Sequence, residues 1–461
     1  MALVLVIVAL FLIFAYKRQK SIVSPFFLVT LAMMMSLVLI LINTKNWAVV
    51  IYDKFILCIA IALTSWLLGS SLYLLIGQSK NASMKAGGIE IRKFEIPKVF
   101  VVKYPYYLMT ILCGGLMFLF VYKIIQNIDL SMGFRNILRE IYTQKITSSS
   151  GNFIIHQVDK IIVTIAYISF LQLMLLVFSH HQIKNKKLKI CALLATMLLG
   201  FVTILIGTDR NVFIRYAIYC ICLFIFFYMN NYTKTPKLRS LYSKDKLNAS
   251  VTLKVGIVGI ILVIMFYFMG KAKNYTSDFS RMIGIYAGSG LYNFNLYING
   301  DIDYTNGAST FKSILGLMAY FGIANPTIVE DLPLIVVETD GYVYASNIYS
   351  TLQPFYADFG IAGIVLFTFV MGFFFEWLFA FARRGGICNK VFYSAFIYPT
   401  VYFPIADQFF ARVHLGLAYE IFWLWLFLYV LYVLKERIYY NKIRRIKIKQ
   451  YQNGVSQPQA C

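Results

Sequence analysis

Charge is scarce in this sequence: 14% of its 461 residues are Asp, Glu, Lys or Arg, while 60% are hydrophobic. Soluble domains run nearer a quarter charged, so a water-soluble globule is excluded. Cysteine and histidine are also sparse, at seven and four residues. Cys58, Cys113, Cys191, Cys220 and Cys222 fall inside apolar runs, Cys388 in a basic loop and Cys461 at the end. None has the spacing of a metal site or a disulfide framework, so neither metal nor other cofactor is expected. Internal repeats and low-complexity tracts are missing as well. Residues 1–16 carry no basic leader or cleavage site, so they are expected to form a first spanning helix rather than a signal peptide.

Long apolar runs are plentiful. They fall at about 1–16, 22–43, 55–77, 99–124, 159–179, 190–206, 211–229, 251–270, 359–381, 391–406 and 416–434. Each approaches the roughly 20 residues that carry a helix across a hydrocarbon core of about 30 Å. The runs are continuous rather than alternating, which favours helices over a β-barrel. The fold expected is therefore an all-α polytopic membrane protein of about 11 transmembrane helices, read as one domain.

The formal charge of +23 and pI near 9.5 would suit nucleic acid, but the distribution does not. Roughly two in three of the 43 Lys and Arg gather in alternate loops: 17–20, 80–103, 184–189, 234–254, 383–390 and 435–449. That is the positive-inside pattern. It puts the N-terminus outside, the C-terminus and the basic tail 435–461 in the cytoplasm, and the basic surplus against anionic lipid. No nucleic-acid partner is expected.

The same count places a large loop, 271–357, outside. It is the one long segment too polar for lipid, and it is acidic and rich in Tyr and Gly. Within it, 313–323 is apolar but too short to span, and reads as a re-entrant or interfacial helix. A second outer stretch, 125–159, contains a candidate interfacial helix over 138–146.

Four clusters at this outer boundary carry chemistry, since ionisable groups near hydrocarbon usually serve a site. Asp209 and Arg210 sit in a tight hairpin, Gly207-Thr208-Asp209-Arg210-Asn211, with Arg215 about one turn on. Guanidinium forks there suit phosphate; local pairing of Arg210 with Asp209 is the plainer alternative. Asp278 and Arg281 precede Tyr286, Tyr292 and Tyr297, a set of rings beside a cation that fits sugar faces. Asn347 and Tyr349 lead into Pro354, Asp358, Gly360 and Gly363, where the chain re-enters the membrane. Asp358 would also cap the helix that follows it, and the glycines would allow close helix contact. Last, Arg412 and His414 follow Asp407 in the final outer loop. Arg412 suits phosphate, and His414 suits proton transfer from a sugar hydroxyl. His156, His180 and His181 lack comparable neighbours.

The pattern N-x-Y-[ST]…P-x-x-x-D-F-G-x-x-G over residues 347–363 resembles that of bacterial oligosaccharide repeat-unit polymerases, the Wzy-type O-antigen and capsule polymerases. The hairpin G-[ST]-x-R at 207–210 is similar to an arginine turn of the same family. The resemblance implies a membrane glycosyltransferase of the GT-C kind in the bacterial inner membrane. It would transfer a growing glycan from undecaprenyl pyrophosphate to another lipid-linked repeat unit, with membrane lipids and a chain-length regulator protein as further partners. Family arginines that hold pyrophosphate map onto Arg210 and Arg281, with Asp358 and His414 completing the expected catalytic set. Asp209, Arg215, Asp278, Tyr286, Asn347, Tyr349 and Arg412 are expected to bind substrate. An R-x10-G element of some members is absent, because Ile221 follows Arg210 and Tyr292 follows Arg281 at the glycine place. An O-antigen ligase shares this architecture and stays open as an alternative. A lipid-linked oligosaccharide flippase also stays open, although a transporter should carry charges deep within its spans and repeat-related halves.

Overall fold

The structure is a computed structural model. It describes residues 1–47, 49–85, 98–102, 104–126, 131, 136–137, 140, 153–179, 182–206, 210–232, 283–300, 304–323, 335–339, 342–384, 386–411, 418–434 and 438. In chain order the helices begin with α1 (Ala2–Gln19), α2 (Pro25–Ile42), α3 (Thr44–Trp47), α4 (Asp53–Lys85), α5 (Lys98–Val102), α6 (Tyr106–Ile125), α7 (Phe153–Phe178) and α8 (Lys186–Ile206). They continue with α9 (Arg210–Tyr232), α10 (Ser289–Tyr297), α11 (Lys312–Tyr320), α12 (Leu352–Arg384), α13 (Ile387–Phe396), α14 (Tyr398–Tyr402) and α15 (Ala418–Leu428). A π-helical turn, Gly284–Gly288, leads into α10, and another, Tyr429–Val433, extends α15.

Eight of these helices are long and apolar enough to cross a membrane. They match eight of the eleven runs, so the α-helical, multi-pass character stands. The run at 391–406 is divided between α13 and α14, and that at 416–434 between α15 and its π turn. The run at 251–270 lies outside the described residues, as do 138–146 apart from residue 140 and the tail 435–461 apart from residue 438. One departure from helix was not expected: β1 (Ile335–Thr339) and β2 (Tyr342–Ser346) pair antiparallel, Ile335 opposite Ser346 and Thr339 opposite Tyr342. Asp340-Gly341 lies between them in sequence, a strong short-range signal for a hairpin.

The described residues fall into two compact units. The first comprises 1–92, 131–140 and 208–418. Its axis is the pair α4 and α12, each 33 residues long. Lipid tails are as apolar as leucine, so apolarity alone does not hold two spans together; small residues that let backbones touch do. A Cβ on Gly69 would stand 2.1 Å from the Phe369 carbonyl oxygen, and one on Gly372 would stand 2.2 Å from that of Trp66. Trp66 then stacks on Phe375, ring centroids 5.9 Å apart. Two turns before the end of α12, buried Glu376 accepts the Gln19 amide at both oxygens, 2.7 and 2.6 Å, which ties the end of α1 to α12.

The second unit comprises 93–130, 141–207 and 419–461. Here Thr110 and Thr196 join α6 to α8 through their hydroxyls at 2.8 Å. Gln172 on α7 donates to the Phe100 carbonyl and the Tyr106 hydroxyl, and accepts from Tyr432. A buried amide with all these partners met is the condition under which polar groups are tolerated in a core.

The α4–α12 contact makes a prediction. Gly69→Val or Gly372→Val drives a side chain into a facing backbone that cannot rotate away, at a cost above the ~1–3 kcal/mol of ordinary overpacking. Both variants should lower the melting temperature of the detergent-purified protein markedly; a melting curve like that of the wild type would refute direct backbone contact.

Candidate functional site

The polar segments of the first unit converge in a cap built around α10. This short helix is buried nearly all round, and two of its residues are asparagines two positions apart, Asn293 and Asn295. A buried amide must find partners, and these two find them on different strands of chain. Asn295 accepts the Tyr52 amide at 3.0 Å and donates to the Val50 carbonyl at 2.7 Å. Asn293 donates to the Ile348 carbonyl at 2.7 Å and to that of Ser346 at 3.3 Å, and accepts the Tyr344 hydroxyl at 2.5 Å. Trp47 stacks on Tyr292 and lies against Tyr344, with Tyr292 donating to the Trp47 carbonyl. Burial pushes the Tyr292 phenol up to about 12, so it remains a neutral donor.

The entry of α12 is fastened to the same cap. Ser350 donates its amide to the Gly290 carbonyl, Thr351 its amide to Phe403 and its hydroxyl to Ala406. The helix then folds sharply on itself at Gly360, where φ is 58° and ψ −143°, a region essentially reserved for glycine. Gly363 lies against the Phe355 carbonyl, 2.1 Å from where a Cβ would be. Both glycines thus serve a bend within α12 as well as its packing.

Asp358 sits at this bend, 1% exposed. Its Oδ1 accepts the Thr305 hydroxyl and the Ser309 amide at 3.1 Å, and its Oδ2 accepts the Thr310 amide at 2.6 Å. The expectation that it caps the helix following it is therefore corrected: the donors come from the turn ahead of α11. The Gly360 bend turns the next residues away, while the 305–310 loop offers its free amides. Asp407 does similar work in the last loop, accepting the amides of Phe409, Phe410 and Ala411. That turn seats Phe410 among Phe311, Phe355 and Phe367.

Of the other expected residues, Arg215 is the most informative. It is 9% exposed, its guanidinium lies 5.4 Å from the Tyr398 ring centroid, and its Nε donates to the Asn211 carbonyl at 3.4 Å. Asn211 in turn accepts the Tyr402 hydroxyl. The cation is thus held against α14, whose end joins the α12 entry through the Phe403–Thr351 bond. Tyr349 is buried in the cap, its phenol pushed up to about 12 by burial, and Tyr286 is half-buried in the π turn. Asn347 is exposed. Asp209, Asp278, Arg281, Arg412 and His414, and the side chain of Arg210, lie outside the described residues.

Sequence reasoning missed Asn293, Asn295, Tyr344 and Lys54. The signal for the first two was two amides within one apolar turn, Asn-Phe-Asn; for Lys54 there was none beyond its place at a span end. Chemically the cap offers buried neutral phenols, two carboxylates already hydrogen-bonded to the protein, and the cations Arg215 and Lys54. It is equipped to bind and orient an anionic, hydroxyl-rich ligand.

Asp358→Asn should cost about 1.5–3 kcal/mol, the range for hydrogen bonds to a charged group, because an amide NH2 would then face the Ser309 or Thr310 N–H. Thermal unfolding in detergent reads this; an unchanged midpoint would remove Asp358 as the anchor of the 305–310 turn. No family model, curated protein or solved structure matches this chain.

Proposed function

We propose that this protein polymerises undecaprenyl-pyrophosphate-linked oligosaccharide repeat units at the periplasmic face of a bacterial inner membrane. In this reading eleven spans carry a GT-C-like membrane glycosyltransferase with the N-terminus outside and the C-terminus in the cytoplasm. One observation carries the proposal. The stretch that resembles the polymerases, 347–363, is also the hub of the cap: Asn293 receives its start, Thr351 fastens its entry, and Asp358 holds the 305–310 turn.

The chemistry asks little of the protein beyond position and charge. An acceptor sugar hydroxyl attacks the anomeric carbon of the donor, the bond from that carbon to the pyrophosphate oxygen breaks, and the pyrophosphate leaves with the electron pair. Arg210 and Arg281 hold the departing pyrophosphate, with Arg215, fixed over Tyr398, supporting its charge. The hydroxyl proton passes to His414 or a nearby carboxylate. Exposed α11 side chains, Ile314 with Phe321 and Ile323 just beyond it, suit a helix lying at the lipid surface near the lipid-borne substrates.

In cells that depend on this protein for their long surface glycan, Arg210→Ala and Arg281→Ala should each abolish the long-chain ladder on a gel and leave single repeat units on lipid A core. Arg210→Lys should restore little, because an ammonium lacks the bidentate fork. A surviving ladder in both alanine variants would end the pyrophosphate-grip reading, and loss of the single repeat as well would point to ligase or flippase. Asn347→Cys should react with a membrane-impermeant maleimide added from the periplasmic side; reaction only from the cytoplasmic side would end the proposal outright.

A further inference from the structure

The start of α4 holds Lys54, a cation of the cap to which the proposed reaction gives no role. Lys54 is exposed, yet it is not a free surface lysine. Its Nζ donates to the Ile298 carbonyl at the end of α10, 2.9 Å away, and stands 5.2 Å from the ring centroid of buried Tyr356. The Tyr304 phenol is also within its electrostatic reach. An ordinary lysine loses rotamer freedom when it binds something; here that ordering has been done in advance by the fold.

No ion pair of Lys54 occurs among the described residues, and the Asp358 carboxylate is taken by Thr305, Ser309 and Thr310. An ammonium has three N–H donors; the Ile298 carbonyl takes one and the Tyr356 hydroxyl another. Around it lie hydroxyl and amide groups. Tyr304 is 55% exposed, and its hydroxyl would stand 3.0 Å from a Cβ at Gly360, so its ring covers the bend of α12. Tyr297 sits between Asp358, Tyr356 and Tyr304; burial first, and then the Asp358 charge, hold its phenol above its ordinary value and keep it a donor. Asn299 and Asn306, two positions from Tyr297 and Tyr304 in sequence, are exposed.

We propose that Lys54, with Tyr304 and Tyr297, forms an anion-binding subsite for a phosphate or carboxylate carried on a saccharide, whose ring lies on the exposed face of Tyr304. The anion part follows from an exposed ammonium pre-positioned by the Ile298 carbonyl and the Tyr356 ring. The saccharide part rests on the polymerase reading, since an aromatic face beside a cation suits a sugar ring. Lys54 here is a binding residue, separate from the arginines assigned to the leaving group.

The test is titration calorimetry on the full-length protein in detergent, with inorganic pyrophosphate and with glucuronate as separate probes. At least one should bind the wild type. Lys54→Gln should weaken that binding about tenfold or more, the worth of one charge-assisted hydrogen bond, whereas Lys54→Arg should stay within about threefold. Preference for pyrophosphate identifies a phosphate ligand. Preference for glucuronate, further weakened by Tyr304→Ala, identifies an acidic sugar. Binding of neither probe, or binding indifferent to Lys54→Gln, overturns the subsite. If Lys54→Gln fails to fold, wild-type protein with isotope-labelled dimethyl-lysine answers instead: the Lys54 resonance shifts on adding the probe, or the proposal falls. Anion binding lost in Lys54→Gln alongside Asn347→Cys labelling only from the cytoplasmic side would keep the subsite and remove the polymerase reading.

Discussion

One buried carboxylate organises the cap. Asp358 accepts two backbone amides and a threonine hydroxyl from a turn some fifty residues earlier in the chain. Hydrogen bonds to a charged group exceed neutral ones in strength, and they matter most where water is excluded. Asp358 reaches that turn because α12 bends at Gly360 in a conformation other residues resist. The bend, the carboxylate and the turn are one device, and the phenylalanine cluster around Phe355, Phe367 and Phe410 closes over it.

Below the cap, the first unit is held by a different means. Gly69 and Gly372 let α4 and α12 meet backbone to backbone, a contact that in lipid substitutes for the missing hydrophobic drive. A rigid helix pair under a hydrogen-bonded cap is a suitable platform for positioning. Lys54 begins one of those helices and Asp358 lies before the bend of the other, so the proposed anion subsite and the cap's anchor share the same axis. The cations are likewise fixed by aromatic rings: Arg215 by Tyr398 and Lys54 by Tyr356. Both enter any binding event with their side-chain ordering already met.

Several features were legible in the residues. Eight spans are found where the apolar runs put them, because a helix in lipid needs only length and apolarity to satisfy its backbone. The close contact at Gly363 was legible too, because small residues let backbones approach. The partners were not. That Asp358 would serve the 305–310 turn rather than its own helix depends on a bend made by one glycine. That Asn293 and Asn295 would join separate segments depends on which chain passes on each side of α10. The hairpin at 335–346 went unread although Asp340-Gly341 marked it, since five-residue strands carry little weight beside twenty-residue helices.

What the sequence determined by itself was the solvent this protein lives in. Hydrophobic length and the scarcity of charge are sums over neighbours in the chain, and folding does not alter them. What only the tertiary structure decided was which polar group meets which. Lys54 and Ile298 are 244 positions apart, Tyr52 and Asn295 243. A hydrogen bond acts over about 3 Å of space, and no pattern within a window of sequence encodes that distance.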